Sequence, residues 1–189
     1  MDLKEQIESI HGSLEKKQQS MDRILQKSRD MVRMSSKAIT LMHSGKMDDA
    51  ASIVSGLDAQ RDEMLSMSKE DGMEFYSVQP LQEYVEAKAL LGIIKEGRIP
   101  LAAELGVQQE PDVLGLMDVV GELKREILES ISSGKGELAD AYLAKMKEIY
   151  DSTRGIRFSD SVLPGFRRKQ DVARAQIESA WSDILSSRR

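Results

Sequence analysis

Apolar residues at Leu3, Ile7, Ile10, Leu14, Met21, Leu25, Val32, Ile39 and Met42 recur at steps of three, four and seven. That spacing puts one side chain per turn or two on a single helical face. It predicts one uninterrupted helix from about Leu3 to His43, stopped at Ser44-Gly45-Lys46, where glycine tolerates the left-handed cap conformation. At ~1.5 Å per residue such a helix spans about 60 Å. A compact globule of 189 residues does not comfortably cover that length, so the helix calls for a kink or for a neighbouring subunit.

The rest of the chain continues in helical period. A second helix is expected from Met47 to about Met67, then a loop from Ser68 to Val78. Pro80 opens a third helix at a first-turn position, where its missing N–H costs nothing, and Gly97 closes it. A short helix is expected between Pro100 and Gly106, longer ones from Pro111 to Ser132, from Glu137 to Arg154 and from Pro164 to Leu185. No segment alternates as a strand would. The prediction is an all-α chain of about seven helices in a single bundle domain covering residues 1–189. A hydrophobic fraction of 40% with only 4% aromatic residues and 11 methionines fits a core packed by aliphatic side chains and Met.

The absence of cysteine excludes a disulfide framework, a thiolate zinc site and a cysteine nucleophile. The opening Met1-Asp2-Leu3-Lys4-Glu5-Gln6 lacks the apolar core of a secretory signal, and no run approaches the ~20 apolar residues of a membrane span. A cytoplasmic protein with no membrane partner is the expectation. His11 and His43 stand apart from any acid at ligand spacing, so they read as solvated single histidines. Phe166 and Trp181 read as core anchors.

The net charge of −5 hides a segregation of sign. Between Met21 and Lys46 there are six cations (Arg23, Lys27, Arg29, Arg33, Lys37, Lys46) against Asp22 and Asp30. Arg23, Lys27, Arg33 and Lys37 fall within a sector of about 120°. That stripe suits either a solvated face or a surface tracking a phosphate backbone. A second basic cluster comprises Arg167, Arg168, Lys169 and Arg174.

Two pairs of acids stand out. Counting back from Leu90, Ile93 and Ile94 puts Glu83 and Glu86 on the apolar face of the third helix, as i, i+3 neighbours. Like charges there need a proton, a cation between them, or a first turn that projects beyond the core. In the Gly115–Arg125 segment, Asp118 and Glu122 lie opposite the seam Leu116, Val120, Leu123, Ile127, as a solvated face would. Gly115 and Gly121 flank them, and mid-helix glycines point to another backbone or a ligand approaching closely.

The stretch Leu81-Gln82-Glu83-Tyr84-Val85-Glu86-Ala87 resembles the Gln-Glu-Tyr-Val-Glu-Ala helix of translin-associated factor X, in the translin family. Gly115 to Arg125 resembles that family's Gly-x-x-Asp-x-x-Gly-Glu-Leu-x-Arg pattern, through Asp118, Gly121, Glu122, Leu123 and Arg125. Val107 to Leu114 resembles the approach to the same helix, with Val113 replacing an aromatic residue, and Arg167-Arg168-Lys169-Gln170-Asp171 resembles the basic opening of the family's last helix. The likeness covers Pro80 to Leu185 by motif and the first eighty residues by layout. A basic nuclear-targeting cluster and a long insert before Gly115 are both missing, which makes the chain resemble a compact prokaryotic or archaeal member.

The resemblance implies two possible activities. The factor X branch implies a divalent-metal endoribonuclease using Mg²⁺ or Mn²⁺, with Glu83, Glu86 and Asp118 as metal ligands and Glu122 as a further ligand or as the base acting on water. The translin branch implies a non-catalytic oligomer binding single-stranded RNA or DNA. Having all four acids points to the first. The resemblance also implies a homo-oligomer, a closed hollow octamer-like assembly, with the two basic clusters (Arg23, Lys27, Arg33, Lys37; Arg167, Arg168, Lys169, Arg174) drawing single-stranded RNA, and by extension single-stranded DNA, toward the acids.

Overall fold

The computed structural model describes residues 2–70 and 72–188. Met1, Arg189 and Asp71, which falls in the expected second loop, lie outside them. Seven α-helices occur among the described residues, with no strand: α1 (Leu3–His43), α2 (Met47–Glu70), α3 (Val78–Glu96), the one-turn α4 (Ala102–Leu105), α5 (Gln109–Ser132), α6 (Gly136–Thr153) and α7 (Phe166–Ser187). A 3-10 turn over Glu74–Ser77 leads directly into α3.

α1 starts at a reciprocal cap. The Asp2 carboxylate accepts from the Glu5 N–H and the Glu5 carboxylate from the Asp2 N–H, both at 2.9 Å, satisfying two of the donors a helix start leaves orphaned. It ends where Gly45 turns to φ +71°. Only its second half packs against the rest of the chain, burying Ile24, Met31, Ala38, Ile39 and Met42 on α2 and α3. Leu3, Ile7, Ile10 and Leu14 stand exposed on a free-standing segment, so the length argument resolves into projection. The buried row is set by Ile24 and Met31, one residue before the expected Leu25 and Val32, which are half-buried. Both rows repeat every seven residues, so the seam is a pair of adjacent rows and the packing of α2 and α3 favours the one through Ile24, Met31 and Ala38, meeting the expected row at Ile39.

α3 and α5 are the central pair: α3 packs on α1 and α5, and α5 carries α6 and α7 on its other sides. One hydrophobic cluster runs through all of these, with Leu81, Tyr84, Leu90, Leu123, Ile127 and Met146 fully enclosed. α2 runs three residues past the expected Met67, to Glu70, and α7 starts at Phe166 rather than Pro164. α3 and α5 each begin two residues before their proline, leaving Pro80 and Pro111 third in the helix. The first four N–H groups of a helix have no internal partner, so a proline fits anywhere in that turn. Phe166 is buried as expected, but Trp181 is not a core anchor: Ala180 and Ile184 take the core side of α7, and the exposed indole packs beneath the Lys147 ammonium at 5.6 Å. No helix among the described residues is long and apolar enough to cross a membrane.

Candidate active site

The crossing of α3 over α5 depends on Gly115. A Cβ built there would lie 2.6 Å from the Gln82 carbonyl oxygen and 2.8 Å from the Val85 Cβ, closer than real carbon atoms approach. Only glycine lets the helices come this near. The contact brings the Glu83–Glu86 turn of α3 alongside the Asp118–Glu122 turn of α5, uniting the two acidic pairs. Gly121 faces the Gln176 amide of α7, with a built Cβ at 3.2 Å, and does the same less tightly.

Glu86 is 8% exposed, so the alternative that the first turn of α3 projects from the core is set aside. No hydrogen bond or ion pair reaches its carboxylate among the described residues. Burial pushes its pKa up to about 9, and the neighbouring Asp118, Glu83 and Glu122 push the same way against a smaller pull from Lys169. Glu83 is raised as well, by burial first and then by Asp118 and Glu122. The four acids therefore share one field.

Asp118 is the best partnered of them. Gln82 Nε2 donates to its Oδ2 at 2.6 Å, and the Lys169 ammonium of α7 donates to Oδ1. Glu122 is held from behind by His43, the last residue of α1. The imidazole Nε2 donates to Glu122 Oε2 at 2.5 Å and Nδ1 to Glu126 Oε1 at 2.6 Å. With its side chain 4% exposed, His43 is no solvated histidine. The hydrogen bonds to Glu122 and Glu126 raise its pKa to about 9 against an opposing burial penalty, so both ring nitrogens carry protons at neutral pH. The expectation failed because Glu122 and Glu126 are some eighty positions away, on the far side of a fold the sequence does not spell out.

The donor set is all oxygen, which suits hard divalent ions such as Mg²⁺ or Mn²⁺. Like charges crowded with too few cations supply the electrostatic need. The acids are neighbours without being convergent: no group of three carboxylates or imidazoles among the described residues is already drawn into a ligating arrangement. Asp118 is turned to Lys169 and Gln82, and Glu122 to His43. Rotation of the four side chains would be needed to gather around an ion.

The basic residues divide. Lys169 sits on Asp118, and Arg168 shares with both a recess of about 350 Å³. Arg167 and Arg174 face the other side of α7, together with Arg154 and Arg157, which sequence reasoning missed because they belong to the end of α6 and the loop after it. On α1, Arg23, Arg33 and Lys37 are exposed. Arg33 pairs with Asp30 at 2.9 Å, while Lys27, half-buried, pairs with Glu63 of α2. Three of the stripe's four cations thus present themselves to solvent and one serves the α1–α2 contact.

No family model matches the chain. An uncharacterized protein of Methanocaldococcus jannaschii is 29% identical over 167 residues, 87% of this chain and 75% of that protein. Among solved structures, AfC3PO superposes at a TM-score of 0.89 with 29% identity over 97% of both chains. AfC3PO in complex with duplex RNA gives 0.90 and 28%, over 97% of this chain and 96% of that one. Apo-NeC3PO gives 0.87 and 25% over 96% of each. With the ordered motifs on α3, α5 and α7 and the full-length agreement in fold, the chain has the translin-type architecture of these C3PO proteins.

Proposed function

We propose that this chain is the subunit of an RNA-binding oligomer that cuts RNA with a divalent metal held at the α3–α5 crossing. The observation that carries the reading is Glu86: a buried carboxylate without a partner, beside three other acids, at a position the fold secures by excluding every side chain from Gly115. Burying such a group as a carboxylate costs several kcal/mol; without metal a proton neutralises it, and a cation among Glu83, Glu86, Asp118 and Glu122 would take the place of that proton. RNA as the substrate is supported by the likeness to AfC3PO, which forms a complex with duplex RNA, and by the exposed cations of α1 and α7. Assembly is supported by the same likeness and by the bare apolar row at the start of α1.

A Mg²⁺ or Mn²⁺ ion held by Glu83, Glu86 and Asp118 would supply Lewis acidity toward the scissile phosphate and lower the pKa of nearby water. The chain's own residues do the rest. Lys169 and Arg168 bring positive charge to the edge of the acidic cluster, offsetting its repulsion of an RNA phosphate. Lys169, which pairs with Asp118 in the metal-free protein, would be placed to pair with the phosphate once that carboxylate is engaged by a metal. Glu122, gripped at Oε2 by His43, keeps Oε1 free to accept a proton from an attacking water. Gln82 fixes the rotamer of Asp118.

Labelled single-stranded and duplex RNA, each incubated with the protein in Mg²⁺ or in EDTA, test the reading. Cleavage of either RNA in Mg²⁺ alone is the expected result. Salt-sensitive binding with no cleavage in any divalent metal would leave the non-catalytic, translin-like reading in its place.

A further inference from the structure

The chain between α6 and α7 closes a cavity of about 510 Å³ against the first turns of α7. Four guanidinium groups line it: Arg154 at the end of α6, Arg157 in the loop, Arg167 and Arg174 on α7. Asp171 is the only acid in the lining, so the wall carries four positive charges against one negative, in a chain whose net charge is −5. The existing ion pairs leave this charge largely unspent. Arg174 lies 3.9 Å from Asp171 and Arg154 3.6 Å from Asp151, both exposed i, i+3 pairs of the kind worth little in water. Arg157 and Arg167 have no hydrogen-bond or ion-pair partner among the described residues.

The two halves of the pocket are locked together. Gln170 Nε2 donates to the Thr153 carbonyl oxygen at 2.9 Å, tying α7 to the end of α6, and the buried Phe166 ring forms the floor. Phe158, 62% exposed, stands at the mouth beside Arg157. Guanidinium forks match phosphate oxygens bidentately, and an exposed phenyl ring beside them offers a base a stacking face. At ~100° per residue, Arg167, Gln170 and Arg174 face away from Arg168, Lys169 and Val172, so α7, a helix about 10–12 Å across, separates this pocket from the recess at Asp118.

We propose that this pocket receives the phosphorylated end of an RNA strand, the terminal phosphate among Arg154, Arg157, Arg167 and Arg174 and the end base against Phe158. A terminal phosphomonoester carries about −1.5 to −2 at pH 7, as phosphate monoesters do, against −1 for each internal diester, which is why a concave four-arginine site selects an end over a passing backbone. The proposal rests on the RNA-binding reading above and is independent of cleavage.

Fluorescence anisotropy in EDTA, which stops metal-dependent cleavage, reads the test out. The wild-type protein and an Arg154→Gln/Arg157→Gln variant are titrated against one short single-stranded RNA bearing a 5′-phosphate, a 3′-phosphate or only hydroxyl ends. Both arginines are exposed, and circular dichroism checks the fold. Wild type should hold one of the phosphorylated ends roughly tenfold more tightly than the hydroxyl-ended RNA, the order expected for two or three exposed ion pairs. The double variant should bind all three alike, and Phe158→Ala should weaken the phosphorylated RNA. Equal wild-type affinity for every end, or a preference that survives in the double variant, overturns the proposal. Competing uridine monophosphate separates a free nucleotide from a strand end. If the protein binds no RNA but retains the nucleotide through Arg154 and Arg157, the pocket stands and the RNA-binding reading fails; if it binds neither, both fail.

Discussion

Replacing Glu86 by glutamine keeps the shape of the side chain and removes its charge. In the metal-free protein, burial and the three neighbouring acids raise the Glu86 pKa from 4.5 to about 9. A carboxyl whose pKa is raised on folding binds its proton more tightly in the native state. Native stability is therefore fullest below about pH 4.5 and declines as pH rises toward 9. Each pH unit in that window corresponds to about 1.4 kcal/mol. The difference between Glu86→Gln and wild type should thus be near zero at pH 4.5 and about 3 kcal/mol in favour of the variant at pH 7, growing further toward pH 9. Urea melts in EDTA across this range measure it. Adding Mn²⁺ should reverse the order, stabilising wild type by mass action and leaving the variant nearly unmoved. A variant less stable than wild type throughout, with or without metal, would show that the Glu86 carboxylate is a structural partner and not a metal ligand.

His43→Ala removes the proton donor to two part-buried carboxylates and should cost about 3 to 5 kcal/mol at pH 7 in a thermal or urea melt. Because the His43 pKa is raised from 6.5 to about 9, the wild-type advantage is complete below pH 6.5 and fades as pH rises through 9; a difference that does not vary between pH 6 and pH 10 would contradict the ion triad. Gly115→Ala drives a methyl group into the Gln82 carbonyl and Val85, so it should destabilise by about 1 to 3 kcal/mol or more and abolish cleavage by parting the acidic pairs; an active, equally stable variant would contradict the close crossing. Reversing Arg23, Arg33 and Lys37 together should weaken single-stranded RNA binding and flatten its salt dependence by roughly 0.7 per lost contact, with the melt unchanged. Lys27→Glu, which faces Glu63 across the α1–α2 contact, should lower the melting temperature instead.

The helices were legible because apolar periodicity and glycine stops are local signals, and α1 came out at its full length from the spacing of nine residues. The acids at Glu83 and Glu86 stood out for a similar reason, since charge on an apolar face contradicts its surroundings. Gly115 signalled a close approach, and the Gln82 backbone is what approaches. What stayed hidden depends on distant pairing. His43 meets Glu122 and Glu126 only because the C-terminal end of α1, packed on α3, reaches across to α5, and Arg154 and Arg157 join Arg167 only through the α6–α7 turn. Periodicity also misjudged the far side of α5. Asp118 and Glu122 lie opposite one apolar seam, yet α3 and α7 cover that side too, so a face that looked solvated is half-buried.

In the proposed mechanism the acids at the α3–α5 crossing hold the metal that makes RNA cleavage possible. The most direct measurement follows cleavage of labelled RNA and Mn²⁺ binding in the same samples as Mn²⁺ is raised from zero, for wild type and for Asp118→Asn. Metal-dependent cleavage at these acids requires that wild-type activity is absent in EDTA and saturates over the concentrations at which Mn²⁺ binds, while Asp118→Asn binds RNA, keeps its oligomeric state and neither cleaves nor takes up the ion tightly. Cleavage by wild type in EDTA, or cleavage by Asp118→Asn at the wild-type rate, would contradict it.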